Sequence, residues 1–219
     1  SEVSCQVFEF FEQHAETYGY ALEDLVADCG VPLATLQDRP THVSRRTWSA
    51  ICERFCELVG GAEEVLRAGR SIPEMGFSRP TQALGRALLH PAQLYVAVCS
   101  WLGPVLFRTM HWAAERTSAT RVVLRLVAPT PVSPAWFAMA RGAFERLPAL
   151  IGADDAHVGF ERDGATGVFD ITVPASRSFA SLTRRRLEAF AGTDRMIAEL
   201  GTLTEEVRSA YRAVRASEA

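Results

Sequence analysis

The side chains able to do chemistry in this chain are few and scattered. Cys52 and Cys56 lie four apart, a spacing that would put two thiolates on one helix face toward a soft metal. They share that face with Trp48 and Phe55, however, and the five cysteines (Cys5, Cys29, Cys52, Cys56 and Cys99) contain no C-x-x-C pair. They read as buried structural thiols of a reducing compartment. His90 and His111 lie near the two ends of an apolar run, LHPAQLYVAVCSWLGPVLFRTMHW (89–112), which also holds Cys99, Trp101 and Trp112. Read as one long helix, that run is either a core element or the holder of a bound group. His14, His42 and His157 stand among polar neighbours and read as surface residues. Nucleophilic catalysis needs a nucleophile, a base and an orienting group brought together. The chain has no G-x-S-x-G elbow, P-loop or G-x-G-x-x-G. Glu63–Glu64 and Asp154–Asp155 are adjacent in sequence and point apart, as solvated carboxylates do. Arg184, Arg185 and Arg186 could touch phosphate, but Glu188 and Asp194 dilute their field and a solvated helix face is the simpler reading.

Composition narrows the class. The 219 residues are 48% hydrophobic and 22% charged, as expected for a globular domain with a sizeable core. The net charge of −3 leaves no basic footprint for nucleic acid. Every basic side chain other than histidine is arginine and asparagine is absent, which points to a GC-rich bacterial genome. No uninterrupted apolar run reaches the 18 or so residues of a membrane span, and the opening residues lack the basic region of a secretory signal. The expectation is a cytoplasmic protein without a membrane anchor.

The elements that must position these residues fall into two halves. Val7, Phe10 and Phe11, then Leu22, Leu25 and Val26, recur at helical spacing, with Gly19 and Gly30 as punctuation. Ser44 and Gly60–Gly61 bound a helix whose apolar face is Trp48, Ile51, Cys52, Phe55 and Val59. AEEVLRAGRSI is a further short helix. Past residue 119 the texture changes. RVVLRLV reads as a strand, AWFAMARGAFERLPALIG as a helix ending near Pro148 and Gly152, and AHVGFER with VFDITVP as a hairpin about DGATG. From Ser178 onward the pattern is helical and polar.

This order of elements, with FFEQHAETYGYALEDLVADCG, EEVLRAGRSI, SPAWFAMARGAFERLPALIG and HVGFERDGATGVFDITV, resembles haem-nitric oxide/oxygen-binding (H-NOX) domains over about residues 5–174. The resemblance implies a sensory domain, and in that family a histidine of the long helix ligates haem iron. Counting from Pro91, that position falls close to Leu102, which offers no lone pair. The family's propionate clasp, Tyr-x-Ser-x-Arg, falls near Leu126–Thr130, LVAPT, which has none of the three residues. With both elements missing, no cofactor is expected and haem is not, with His90 and His111 the remaining candidate ligands. The chain is similar in texture to the effector-binding domains of AraC-type transcription regulators and to ligand-binding domains of the vinyl-reductase type. These too imply a hydrophobic pocket between helices and a small sheet.

The expected fold is α+β. A helical N-terminal half packs on a small antiparallel sheet with a crossing helix, and a C-terminal coiled-coil helix follows. Residues 1–175 form the sensory domain and residues 176–219 the signalling helix. The expected function is the non-enzymatic input domain of a bacterial signalling protein such as a histidine kinase, with an AraC-type effector domain as the alternative. The expected pocket lining is Trp48, Cys52, Cys99, Trp101, Phe107, Met110 and His111. Met196, Leu200, Leu203, Val207, Ala210 and Val214 repeat at spacings of four and three, a heptad stripe that would form the seam of a homodimer. The expected partners are a second copy, a small hydrophobic ligand and a downstream output domain, with no nucleic acid, membrane or metal.

Overall fold

Ser44 and Gly60 set the limits of a central helix in the computed structural model, which describes residues 2–75 and 90–174, with Trp101 through its backbone alone. The Ser44 hydroxyl accepts from the Thr47 backbone N–H, and Gly60 closes the helix with a positive φ that a residue with a side chain would resist. The helix between them, α4 (Arg45–Val59), buries Trp48, Ile51, Cys52, Phe55 and Val59. Before it come β1 (Val3–Ser4), α1 (Glu9–Tyr18), α2 (Leu22–Val26), α3 (Leu33–Gln37) and β2 (His42–Val43). The strands β1 and β2 pair antiparallel into a two-stranded ribbon. After α4 come α5 (Ala62–Gly69) and α6 (Ile72–Met75). Phe10 and Phe11 of α1 pack edge-on against Phe55 at 5.4 and 5.1 Å, which fuses α1 and α4 into one apolar layer.

The run 89–112 is not one helix. It forms α7 (Pro91–Ala97), a wider turn over Val98–Leu102, and α8 (Gly103–Leu106), then leaves the helix at Phe107. Pro104 accounts for the wide turn. A proline inside a helix has no N–H and crowds the carbonyl four residues back. Here the Gly103 N–H reaches five residues back to the Val98 carbonyl, as in a π turn. His111 and Trp112 therefore stand on a strand, β3 (His111–Arg116), which the helix-favouring sequence HWAAER hides. Pairing with the next strand overrides local propensity there.

The sheet has four strands, β3, β4 (Arg121–Val127), β5 (His157–Asp163) and β6 (Thr166–Thr172), in the spatial order β3-β4-β6-β5, all antiparallel. Between β4 and β5 runs α9 (Pro134–Arg146), followed by a tighter helical turn over Leu147–Ile151 that Gly152 ends. The buried face of the sheet presents Val122, Leu124, Leu126, Val158, Phe169 and Ile171. Phe144 of α9 meets Phe169 edge-on at 5.0 Å.

α9 lies close enough to α5 for backbone contact. A Cβ on Gly142 would fall 2.0 Å from the Leu66 carbonyl oxygen, and one on Gly69 would fall 2.2 Å from that of Met139. Only glycine permits this approach. Tyr95 of α7 is fully buried and donates to the Phe144 carbonyl at 2.7 Å, which fixes α7 against α9. Arg45 is buried at the junction of four segments. Its guanidinium donates to Thr130 Oγ1 at 3.1 Å, Thr109 Oγ1 at 2.9 Å and Glu2 Oε1 at 3.1 Å.

The α+β architecture, a helical N-terminal half on a small antiparallel sheet crossed by a helix, is as expected. The sheet has one strand more than the sequence disclosed. The heptad stripe from Met196 to Val214, with Leu200, Leu203, Val207 and Ala210, lies outside the described residues.

Candidate ligand pocket

The helices α1, α4, α6, α8 and α9 and strand β3 line a half-open cavity of about 550 Å³, within the range of small-molecule sites. It is created by side chains that stop short. On α9, Met139, Ala140, Ala143 and Phe144, with Leu147 just beyond, share the face toward it, and the two alanines leave the space. Opposite stand Val98 and Leu102 on the wide turn and Leu106 on α8, so the turn forced by Pro104 shapes this wall. Ile72, Pro73 and Met75 form one end. Trp48, Phe107, Trp112 and Trp136 form an aromatic end. Phe107 meets Trp48 at 6.4 Å, Trp112 at 5.8 Å and Trp136 at 5.4 Å. Trp112 lies flat on Gly103, where a Cβ would fall 2.4 Å from its ring.

The polar members of the wall are Gln6, Glu9 and Arg39. Arg39 pairs with Glu12 and donates to the Cys5 carbonyl, and Glu9 accepts from Gln13 at 3.1 Å. Among the described residues the rest of the wall is hydrocarbon, aromatic ring and the thioethers of Met75 and Met139.

Of the seven residues expected to line a pocket, Trp48 and Phe107 stand on this wall. Cys52, Cys99 and Met110 are buried elsewhere in the core, and Trp101 contributes backbone to the wide turn. His111 is exposed on β3 opposite Val127. Cys52 and Cys99 also lack the chemistry of a ligating thiolate. Burial pushes the Cys52 thiol well above its ordinary value and the Cys99 thiol up to about 12. Among the residues that sequence reasoning missed are five on α9: Trp136, Met139, Ala140, Ala143 and Phe144. Their signal was the pair Ala140 and Ala143 between larger apolar residues on one helical face.

The histidines are all accounted for elsewhere. His90 caps α7: its Nδ1 accepts from the Ala92 N–H at 3.2 Å, while the Gln93 side chain accepts from the His90 N–H at 2.9 Å. Its imidazole is held below the ordinary value by burial and then by the Arg116 charge. His14 is buried rather than exposed as expected, between the Phe10 carbonyl and the Ser71 hydroxyl. At the clasp position, Leu126 is buried in β4 and Thr130 serves Arg45.

This frame is the H-NOX fold, with the helix over 91–106 broken by a wide turn. No family model matches the chain, and no curated protein matches it. Solved H-NOX structures do. One from K. algicida in its unliganded Fe(II) form has a TM-score of 0.56 at 12% identity over 80% of this chain and 99% of its own. One from S. oneidensis in its Fe(II)NO state has a TM-score of 0.55 at 11% identity, covering 78% and 99%. One from T. tengcongensis has a TM-score of 0.55 at 14% identity, covering 78% and 97%.

The K. algicida and S. oneidensis structures hold Fe(II), so the fit of a haem to this cavity needs a test on its own residues. Haem iron is ligated through His, Cys thiolate, Tyr, or Met paired with His. All five histidines and all five cysteines fall within the described residues, and none is on the wall. The wall offers thioethers without a histidine. The donor set does not fit haem. Among the described residues no group of three or more His, Cys, Asp or Glu could hold a metal ion, and none of the helices is long and apolar enough to cross a membrane.

Proposed function

We propose that this chain is a sensory input domain in which the H-NOX frame binds a small apolar molecule in place of haem. The observation that carries the reading is the cavity itself, about 550 Å³ of hydrocarbon and aromatic wall with none of the usual iron ligands. Binding is favoured by transfer of apolar ligand surface out of water, roughly 25 cal/mol per Å² before the losses of association. The function is recognition rather than catalysis, because among the described residues no hydroxyl, thiol or imidazole converges on the cavity. A ligand that favours one packing of α8, α9 and β3 over another biases the protein between two states. We propose that residues 176–219 form a dimeric helix that passes this bias to a signalling output domain such as a histidine kinase, in a cytoplasmic bacterial protein.

The test uses the neutral fluorescent probe N-phenylnaphthylamine. Its emission should rise to a one-to-one plateau with the wild-type chain, and Ala143→Trp, which fills the cavity, should remove the rise while the protein stays folded. An unresponsive wild type, or a response that survives Ala143→Trp, contradicts the reading.

A further inference from the structure

The polarity of the cavity is one-sided. Among the described residues that line it, Gln6, Glu9 and Leu102 are the exposed ones, so they mark where the cavity meets water. Its polar members, Gln6, Glu9 and Arg39, all come from the N-terminal segment that carries α1, whereas the walls contributed by α8 and α9 are apolar. The buried rings of Trp48, Phe107 and Trp136 close the aromatic end. The charges on the polar side do not balance. The Arg39 guanidinium is engaged, paired with Glu12 and donating to the Cys5 carbonyl. Glu9 has only a neutral partner: its Oε1 accepts from the Gln13 amide at 3.1 Å, and among the described residues no cation pairs with it. An exposed carboxylate alone is ordinary hydrated surface. At the rim of a half-open apolar cavity it sets the charge that a molecule lying half inside can carry.

We propose that the ligand of this pocket is a cationic amphiphile, an amine whose apolar body fills the cavity and whose ammonium head stays at the mouth beside Glu9. This rests on the apolar-pocket reading above and adds the charge of the head and its place. The head keeps its contact with water, so no charge is buried, while the stem lies along apolar wall as the stems of long cationic side chains do. A carboxylate head would meet Glu9 as a like charge, with Arg39 already engaged, and the repulsion selects against it. A neutral hydroxyl head would let the same body enter without the gain from opposite charge.

The experiment is competition against N-phenylnaphthylamine by decan-1-amine, decan-1-ol and decanoate, which share one chain length and differ in the head, at neutral pH where the amine is charged. The wild type is compared with Glu9→Gln and Glu9→Lys, and uptake of the probe by each variant reports that it is folded. The expected result is that the amine competes about two- to fivefold better than the alcohol, the worth of one exposed ion pair, that decanoate is the weakest, and that high salt narrows the differences. Glu9→Gln should bring the amine level with the alcohol, and Glu9→Lys should put decanoate ahead of the amine. An amine no better than the alcohol in the wild type, or one whose lead survives either substitution, overturns the proposal while leaving the apolar pocket standing. A wild type that does not take up the probe overturns the pocket reading and the proposal with it.

Discussion

Replacing Gly142 with alanine isolates the contact that places one wall of the pocket. In an ordinary helix interior, alanine in place of glycine stabilises by about 0.5–1 kcal/mol, because glycine has more backbone freedom to lose. At Gly142 the new Cβ would sit 2.0 Å from the Leu66 carbonyl oxygen, 3.0 Å from the Leu66 carbonyl carbon and 3.1 Å from the Arg70 nitrogen. All three atoms are backbone, so no side chain can swing away. To reach the 3.4 Å at which ordinary contact begins, α9 and α5 must part by about 1.4 Å. Overpacking of this kind costs roughly 1–3 kcal/mol, which outweighs the propensity gain. The net expectation is a loss of about 1–2 kcal/mol, or a Tm lower by about 2–8 °C for a domain of this size. Because Met139, Ala140 and Ala143 ride on the displaced helix, probe affinity should fall as well. The assay is urea unfolding followed by probe titration of the folded variant. A Gly142→Ala protein as stable as the wild type, or more so, would refute the close approach of the two helices.

His90→Ala removes the cap of α7 and should cost about 1 kcal/mol at pH 8. The folded His90 binds its proton below the ordinary value of 6.5. The unfolded chain therefore takes up the proton first, so the stabilisation is full above about pH 6.5 and is lost as pH falls through the folded value. Urea unfolding should show a larger cost at pH 8 than at pH 5, and an equal cost at both would count against the cap. Leu203→Glu should turn a dimer of the full chain into a monomer in sedimentation, because it sets a charge in the proposed seam. A wild type that is monomeric at high concentration, or a variant that still dimerises, removes the seam from the account.

Helix limits marked by chemistry could be read from the chain. Ser44 and Gly60 bound α4 as cap and stop signals predict, and alternation with β-branching gave β4 and the β5–β6 hairpin. Features that depend on distant contact could not be read. β3 is helical by propensity and becomes a strand because β4 pairs with it along its full length. The break after Ala97 follows from Pro104, yet the sequence alone leaves open whether a proline kinks, widens or ends a helix. The pocket was harder still, because a cavity is defined by absent atoms. Large residues such as Trp48 and Phe107 announce apolar surface, whereas Ala140 and Ala143 announce nothing until α9 is set against α8. His90, left by the sequence as one of two remaining candidate ligands, serves the backbone.

The central claim, that this H-NOX frame holds an apolar molecule and not haem, is tested most directly by titrating the purified chain with haemin and recording the visible spectrum. The account predicts no sharp, stoichiometric Soret band beyond that of free haemin, because none of the usual iron ligands reaches the cavity wall. A one-to-one band that disappears in His90→Ala, His111→Ala or Met139→Leu would contradict it and name the residue that holds the iron.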